Sequence, residues 1–181
     1  MPHPRLLLVT DPARARLPVL DLAAEAVAGG VDAIYLRHLT AADDWAATLA
    51  LLRERVAPEV LVMVPGEPPA GFPGVGRHLR EREPLPHVLP PVVPYPLSRS
   101  VHSAEEAVRS SGAWYVVTGH VYASASKPGR EPLGLGGLAH IAAASPVPLL
   151  AIGGITPERV PAVMAAGARG VAVIGAICEA P

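Results

Sequence analysis

The sequence predicts a small (β/α)8 barrel of the TIM-barrel class, an α/β fold with helices missing or degraded after strands three, four and eight. Three observations predict it. Short β-branched runs alternate with alanine-rich stretches of helical character along the 181 residues. The strand segments are near-continuous apolar runs, as in a parallel sheet covered on both faces. Eight candidate strands can be counted, which favours a closed barrel over an open doubly wound sheet. The chain is shorter than the roughly 200 residues usual for such a barrel. Residues 1–181 read as one domain, because no linker interrupts them.

Each element has a local reason. "RLLLVT" (5–10) is a strand, and "VLDLAAEAVAGG" (19–30) is a helix ended by Gly29-Gly30. "DAIYLR" (32–37) is the second strand. Thr40 and Asp43 resemble a capping pair for a helix running to about Val56. "VLVMV" (60–64) is the third strand. "PGEPPAGFPGV" (65–75) holds too much proline and glycine for a helix. "GRHLR" (76–80) fits a short strand, and 81–97 is broken again by proline. Whether "VPYPL" contributes a proper fifth strand stays open. Ser100-Val101 end a strand, and Ser103 with Glu106 forms an S-x-x-E capping box for a helix to about Ser111. "AWYVVTGHV" is a strand, 119–134 a loop, "LGGLAHIAAAS" a helix and "PVPLLAIGG" a strand. Thr156-Pro157 reads as N-cap and first residue of a helix ending at Gly167, and "GVAVIG" is the last strand.

Composition excludes several function classes. The formal net charge is -1, so no nucleic-acid or other polyanionic partner is implied. No apolar run reaches the roughly 20 residues that span a bilayer, and the N-terminus lacks a signal-peptide pattern. One cysteine, Cys178, rules out an internal disulfide and suits a reducing cytoplasm. There are 22 prolines, and Lys127 is the one lysine in a chain that otherwise uses arginine.

A barrel of this class carries its site at the C-terminal ends of the strands. Gly153-Gly154 and Ile174-Gly175 stand at the ends of strands seven and eight, where such barrels often hold a phosphate against backbone N–H groups. The same glycines also suit tight turns. His120 ends strand six. A histidine with an unperturbed pKa of about 6.5 suits proton transfer near neutrality, yet an ordinary loop histidine fits the same pattern. His102 precedes the Ser103 cap and is expected to pack or cap locally. His38, His78 and His140 show no metal-ligand spacing, and no metal site or cofactor is expected. Ser124, Ser126 and Lys127 lie on a small, hydroxyl-rich segment. It suits either a lid that closes on an anion or an exposed loop.

The motifs "LLLVTD", "GGVDAIYLR", "SRSVHSAEEA", "TGHVYASASKPG" and "AIGGITPERVPAVMAAGARGVAVIGAI" resemble the thiamine phosphate synthase superfamily, a family of (β/α)8 barrels. The resemblance runs in order over most of the chain and is weakest at 65–97. The synthase branch joins a pyrimidine pyrophosphate to a thiazole phosphate with Mg2+. Of its Q-L-R-E-K pattern after strand two, only Leu36 and Arg37 remain here. Its Asn-Asp pair after strand three is replaced by Val64 and Pro65, and its aspartate after strand four by "HLRERE". The other branch, the TenI-like thiazole tautomerases, has G-H-V-F at the end of strand six. "GHVY" (119–122) is similar to that motif and puts His120 on the branch's catalytic histidine.

The resemblance therefore implies a cofactor-independent isomerase of thiamine biosynthesis. It would aromatise a dihydrothiazole carboxylate phosphate to 2-carboxy-4-methylthiazole ethyl phosphate. His120 would move the proton, Gly153, Gly154, Ile174 and Gly175 would anchor the phosphate, and Arg37 and Ser100 would face the carboxylate. Ser124, Ser126 and Lys127 would close over the ligand. A synthase with a degraded Mg-pyrophosphate site and a non-catalytic thiazole-phosphate-binding regulator are the alternatives. Missing outer helices would expose barrel surface, so a homodimer or higher homo-oligomer is expected.

Overall fold

The computed structural model describes residues 3–40, 42–85, 95–124 and 129–180. Eight parallel strands pair in sequence order and close into a barrel: β1 (Leu6–Val9), β2 (Ala33–Tyr35), β3 (Leu61–Val64), β4 (Val75–Leu79), β5 (Leu97–Val101), β6 (Tyr115–Gly119), β7 (Leu149–Ile152) and β8 (Gly170–Val173). The closing pair is β1 with β8, in the register Leu7 to Ala172. The open question about a fifth strand is answered by Leu97–Val101, which aligns Arg77 with Leu97 and His78 with Ser98.

Strand alternation sorts the side chains. One set fills the barrel interior: Leu7, Val9, Ala33, Tyr35, Met63 and Tyr115 among others. The opposite set packs outward in two clusters. The first joins Leu8, Ile34, Val62 and Val75 to α1 (Val19–Ala28) and α2 (Trp45–Arg53) through Leu22, Leu49 and Leu52. The second joins Val101, Val116, Leu149 and Val171 to α3 (Ala104–Val108), α4 (Gly134–Ala144) and α5 (Val160–Ala165) through Ala107, Leu138, Ile141 and Val163.

No helix follows β3 or β4 among the described residues, and a four-residue α6 (Gly175–Cys178) follows β8, as expected. The proline-rich loop after β3 does part of a helix's work. Phe72 and the Trp45 ring pack on the cluster that contains Val62 and Val64. Arg53 ties that loop to α2 by donating to the carbonyls of Ala57, Val60 and Pro73. On the outer faces of β4 and β5, guanidiniums stand in for a helix. Arg77 pairs with Glu83 at 2.8 Å, and Arg99 donates to the Glu81 carbonyl.

Three expected caps differ. The Asp43 carboxylate accepts from both the amide and the hydroxyl of Thr40, closing a turn of its own. The residue that caps α2 is therefore Asp44, which accepts from the Ala47 amide at 2.9 Å. Ser103 does cap α3 by accepting from the Glu106 amide, but the Glu106 carboxylate reaches His102 N rather than Ser103 N. Thr156 makes no side-chain cap bond. A single 3-10 turn, Pro157–Arg159, leads into α5, which ends at Ala165.

Asp44→Ala should lower stability by about 1 kcal/mol, the usual effect of losing an N-cap side chain. Urea unfolding reads it. An effect confined to Thr40→Ala would restore the Thr40 pairing as the cap.

Candidate active site

The C-terminal ends of the strands surround a cavity of about 540 Å3. Its floor is the apolar interior layer, including Val9, Val117 and Ala172, and its rim is polar. A low-dielectric floor under a polar rim strengthens every electrostatic contact made there.

His120 lies immediately beyond β6, is 9 % exposed and lines this cavity. Its Nε2 is 3.2 Å from the Arg130 carbonyl oxygen. A carbonyl only accepts, so in the neutral ring Nε2 carries the proton and Nδ1 is the basic nitrogen. Gly153 faces it from the end of β7. Its φ is +105°, and a Cβ there would sit 2.4 Å from the His120 Cβ. The glycine is thus needed both for its left-handed backbone and for the space that the histidine occupies.

Gly154, Ile174 and Gly175 line the same cavity. Among the described residues, no turn or loop hydrogen bond uses the N–H groups of Gly153, Gly154, Ile174 or Gly175. Two arginines flank them. Arg14, ion-paired with Glu179, would lie 2.7 Å from a Cβ at Gly175. Arg159 donates to the Gly154 carbonyl and stacks over the Tyr122 ring at 4.5 Å. Backbone donors beside two cations make this side of the cavity a fitting place for a phosphate.

The opposite wall comes from β2, β4 and β5. Arg37 lines it, held by the Asp11 carboxylate at 2.8 Å. Ser100 lines it too, its hydroxyl 2.9 Å from His78 Nε2, while His78 Nδ1 meets the Ser98 hydroxyl at 2.8 Å. The Tyr35 and His78 rings touch with centroids 4.5 Å apart. Burial pushes the His78 imidazole down to about 4, against the pull of Glu83. It stands as a neutral ring between two hydroxyls. Burial raises the Tyr35 phenol to about 12, with the Arg80 and Arg37 guanidiniums opposing.

Of the residues expected from sequence, the structure thus brings together His120, Gly153, Gly154, Ile174, Gly175, Arg37 and Ser100. Ser124 also lines the cavity. Ser126 and Lys127 lie outside the described residues. His102 is a correction. It lines the cavity instead of packing or capping locally, and its Nδ1 donates to the Gly119 carbonyl at 2.9 Å, bracing the strand end that carries His120. Sequence reasoning also missed His78, Tyr35, Arg14 and Arg159. The signal for His78 was its inward parity on β4, two residues after Gly76. Arg14 and Arg159 stand on segments that directly follow β1 and β7. His38 is used elsewhere, its Nδ1 bonded to the Thr10 hydroxyl at 2.9 Å.

The His78 pair sets a pH dependence. Its folded-state value of about 4 lies below the unfolded value of about 6.5, so between them the unfolded chain binds the extra proton. Stability from this group is complete above about pH 6.5 and is lost as the pH falls toward 4. Between pH 7 and 5 it should cost about 2 kcal/mol. Denaturant unfolding across that range checks it, and His78→Asn should flatten the slope. An unchanged slope in the variant would show that other groups carry the effect.

The family model described as "Thiamine monophosphate synthase" matches residues 94–177. A thiamine-phosphate synthase of Thermobifida fusca is 36 % identical over 186 residues, covering 97 % of this chain and 85 % of that protein. A thiamine-phosphate synthase of Azorhizobium caulinodans is 33 % identical over 195 residues, covering 100 % of this chain and 92 % of that one. Among solved structures, a thiamine phosphate pyrophosphorylase from Pyrococcus furiosus superposes with a TM-score of 0.73 at 26 % identity, covering 97 % of this chain and 88 % of the other. With the closed eight-stranded barrel and a cavity at the C-terminal strand ends, these likenesses establish that the chain belongs to the thiamine monophosphate synthase family.

Proposed function

We propose that this protein is the isomerase of its family, a thiazole tautomerase that aromatises a dihydrothiazole carboxylate phosphate. The observation that carries the reading is His120. It is a nearly buried histidine with one nitrogen tied to the Arg130 carbonyl, in the same cavity as the glycine ends of β7 and β8.

The chemistry needs little else. The substrate carries a proton on C2 and an exocyclic double bond. Neutral His120 takes the C2 proton through Nδ1, and the C2 electron pair moves into the ring as the exocyclic double bond shifts. The imidazolium then gives the same proton to the exocyclic carbon, which becomes the CH2 next to the phosphate-bearing carbon. One C–H bond breaks and one forms, with no oxidant and no cofactor. An imidazole, which can both accept and return a proton, suits both halves. The gain in aromatic stabilisation drives the step, so the protein supplies mainly orientation. Gly153, Gly154, Ile174 and Gly175, with Arg14 and Arg159 beside them, hold the phosphate end. Ser124 stands at the rim.

The synthase reading is favoured by the names of the relatives, thiamine-phosphate synthases over most of their length. That reaction resembles one that uses Mg2+, and the donor set here does not fit a hard cation. At the end of β3 stand Val64 and Pro65. Beyond β4, the Glu83 carboxylate is taken by Arg77 and by the Arg80 amide, each at 2.8 Å. No group of three or more His, Cys, Asp or Glu side chains among the described residues is arranged to hold a metal ion. The donor chemistry supports the isomerase.

The test is turnover of the dihydrothiazole carboxylate phosphate by the purified protein in EDTA, followed by the absorbance of the aromatic product. Acceleration is expected, with a loss of at least about 100-fold in His120→Asn, the usual scale for a lost general base. Full rate in that variant would end the mechanism. Mg2+-dependent coupling of pyrimidine pyrophosphate to thiazole phosphate would instead establish the synthase. Gly153→Ala should lower the rate as strongly, because the added Cβ displaces His120. A Gly153→Ala enzyme of wild-type rate would show that the His120 position tolerates movement.

A further inference from the structure

Beside the main cavity lies a second cleft at the ends of β4 and β5, and the two share Ser100 and His102. Arg80, Arg82, Glu81 and Glu83 form its other walls. The cleft adjoins the end of the cavity away from Gly153 and Gly175.

The arginines around the mouth differ in what neutralises them. Arg14 is paired with Glu179, Arg37 with Asp11 and Arg77 with Glu83. Arg99 is spent on the Glu81 carbonyl, and Arg159 on Tyr122 and Gly154. Arg80 and Arg82 have no carboxylate within 4.0 Å of their guanidiniums among the described residues. Both are exposed at the surface of the cleft. The two glutamates are partly committed elsewhere. Glu83 serves Arg77 and the Arg80 amide, and Glu81 Oε2 lies 3.5 Å from His102 Nε2. Arg80 is also close enough to Tyr35 for its charge to favour the ionised phenol, so its field reaches the wall of the main cavity. The Ser100 hydroxyl stands where the two spaces meet, held by His78.

Two guanidiniums with no carboxylate within 4.0 Å among the described residues stand at one end of the cavity, although Glu81 and Glu83 line the same cleft and Arg80 also acts on Glu83 through its charge; with phosphate-fitting donors at the other end, this matches a ligand with an anion at each end. We propose that the cleft formed by Arg80, Arg82 and Ser100 is a metal-independent carboxylate subsite, holding the second anionic group of the ligand whose phosphate lies at Gly153 and Gly175. This deepens the tautomerase reading and rests on it for the identity of the ligand. It assigns the carboxylate to Arg80 and Arg82 in addition to the Arg37 and Ser100 expected from sequence. Arg37, already neutralised by Asp11, becomes a wall of the cavity rather than the main anchor.

The test compares two ligands that differ by the carboxylate alone: 2-carboxy-4-methylthiazole ethyl phosphate and the same thiazole phosphate without the carboxyl group. Isothermal titration in EDTA measures both on the wild-type protein and on the Arg80→Gln/Arg82→Gln variant. Both positions are exposed, and an unchanged thermal midpoint verifies the fold. The variant should bind the carboxylated ligand at least about 10-fold more weakly, the scale of a lost charge-assisted hydrogen bond. It should bind the uncarboxylated ligand within about twofold of wild type. Equal weakening of both ligands, or of neither, overturns the subsite, as does binding of the carboxylated ligand only when Mg2+ is added. A weakening of inorganic pyrophosphate binding alone also overturns the carboxylate assignment. Because binding is read without turnover, a protein that shows the carboxylate-dependent loss yet leaves the dihydrothiazole unconverted would refute the tautomerase and keep the subsite.

Discussion

Pairing of β1 with β8 is the constraint on which the rest of the molecule depends. Once the sheet closes, no strand edge remains, and alternation divides every strand into an inner and an outer row. Most of the inner row packs as an apolar layer around Leu7, Met63, Tyr115 and Leu150, with His78 and Ser98 as buried polar members. Ligand chemistry is thereby confined to the rim, where the strands run out. Residues as distant in sequence as Arg14, His78, His120 and Gly175 meet there because closure leaves them nowhere else to point.

The polar character of the rim is uneven. The side built from β6, β7 and β8 offers backbone N–H groups, a basic histidine nitrogen and two cations already occupied by Glu179, Tyr122 and Gly154. The side built from β2, β4 and β5 offers hydroxyls, a neutral histidine and guanidiniums. A site of this composition attracts anions and orients them, and it has little with which to grip a hard cation. The tautomerase proposal rests on that contrast, while the chain shares the barrel and much of its sequence with proteins named thiamine-phosphate synthase.

The order, type and approximate limits of the strands and longer helices were readable because each rests on short-range information: β-branched runs, alanine-rich stretches, glycine and proline punctuation. The caps were readable only to within a residue. Thr40, Asp43 and Asp44 are all competent acceptors or donors, and only the folded chain shows that Asp44 faces the Ala47 amide while Asp43 turns back to Thr40. Ser103 behaved as expected, but its glutamate partner chose the amide one residue earlier. In the site, the glycine ends of β7 and β8 and His120 were visible as punctuation after strands. His102 was misjudged because its position beside a cap suggested a local role, whereas its partner is the Gly119 carbonyl across the β5–β6 pair.

The sequence by itself determined the barrel, the strands that end in glycine, the histidine at the end of β6 and the absence of aspartate between β3 and β4 and between β4 and β5. These follow from composition and periodicity along a single stretch of chain. Only the tertiary structure decided which charges are cancelled, which histidines face the cavity and why Gly153 must be glycine. Each of those depends on a contact between strands or loops far apart in sequence. The space at Gly153 is filled by the His120 Cβ, the charge of Arg37 is met by Asp11, and the neutrality of His78 comes from burial against Tyr35 between two serines. Local sequence carries no record of a neighbour brought close by closure of the sheet.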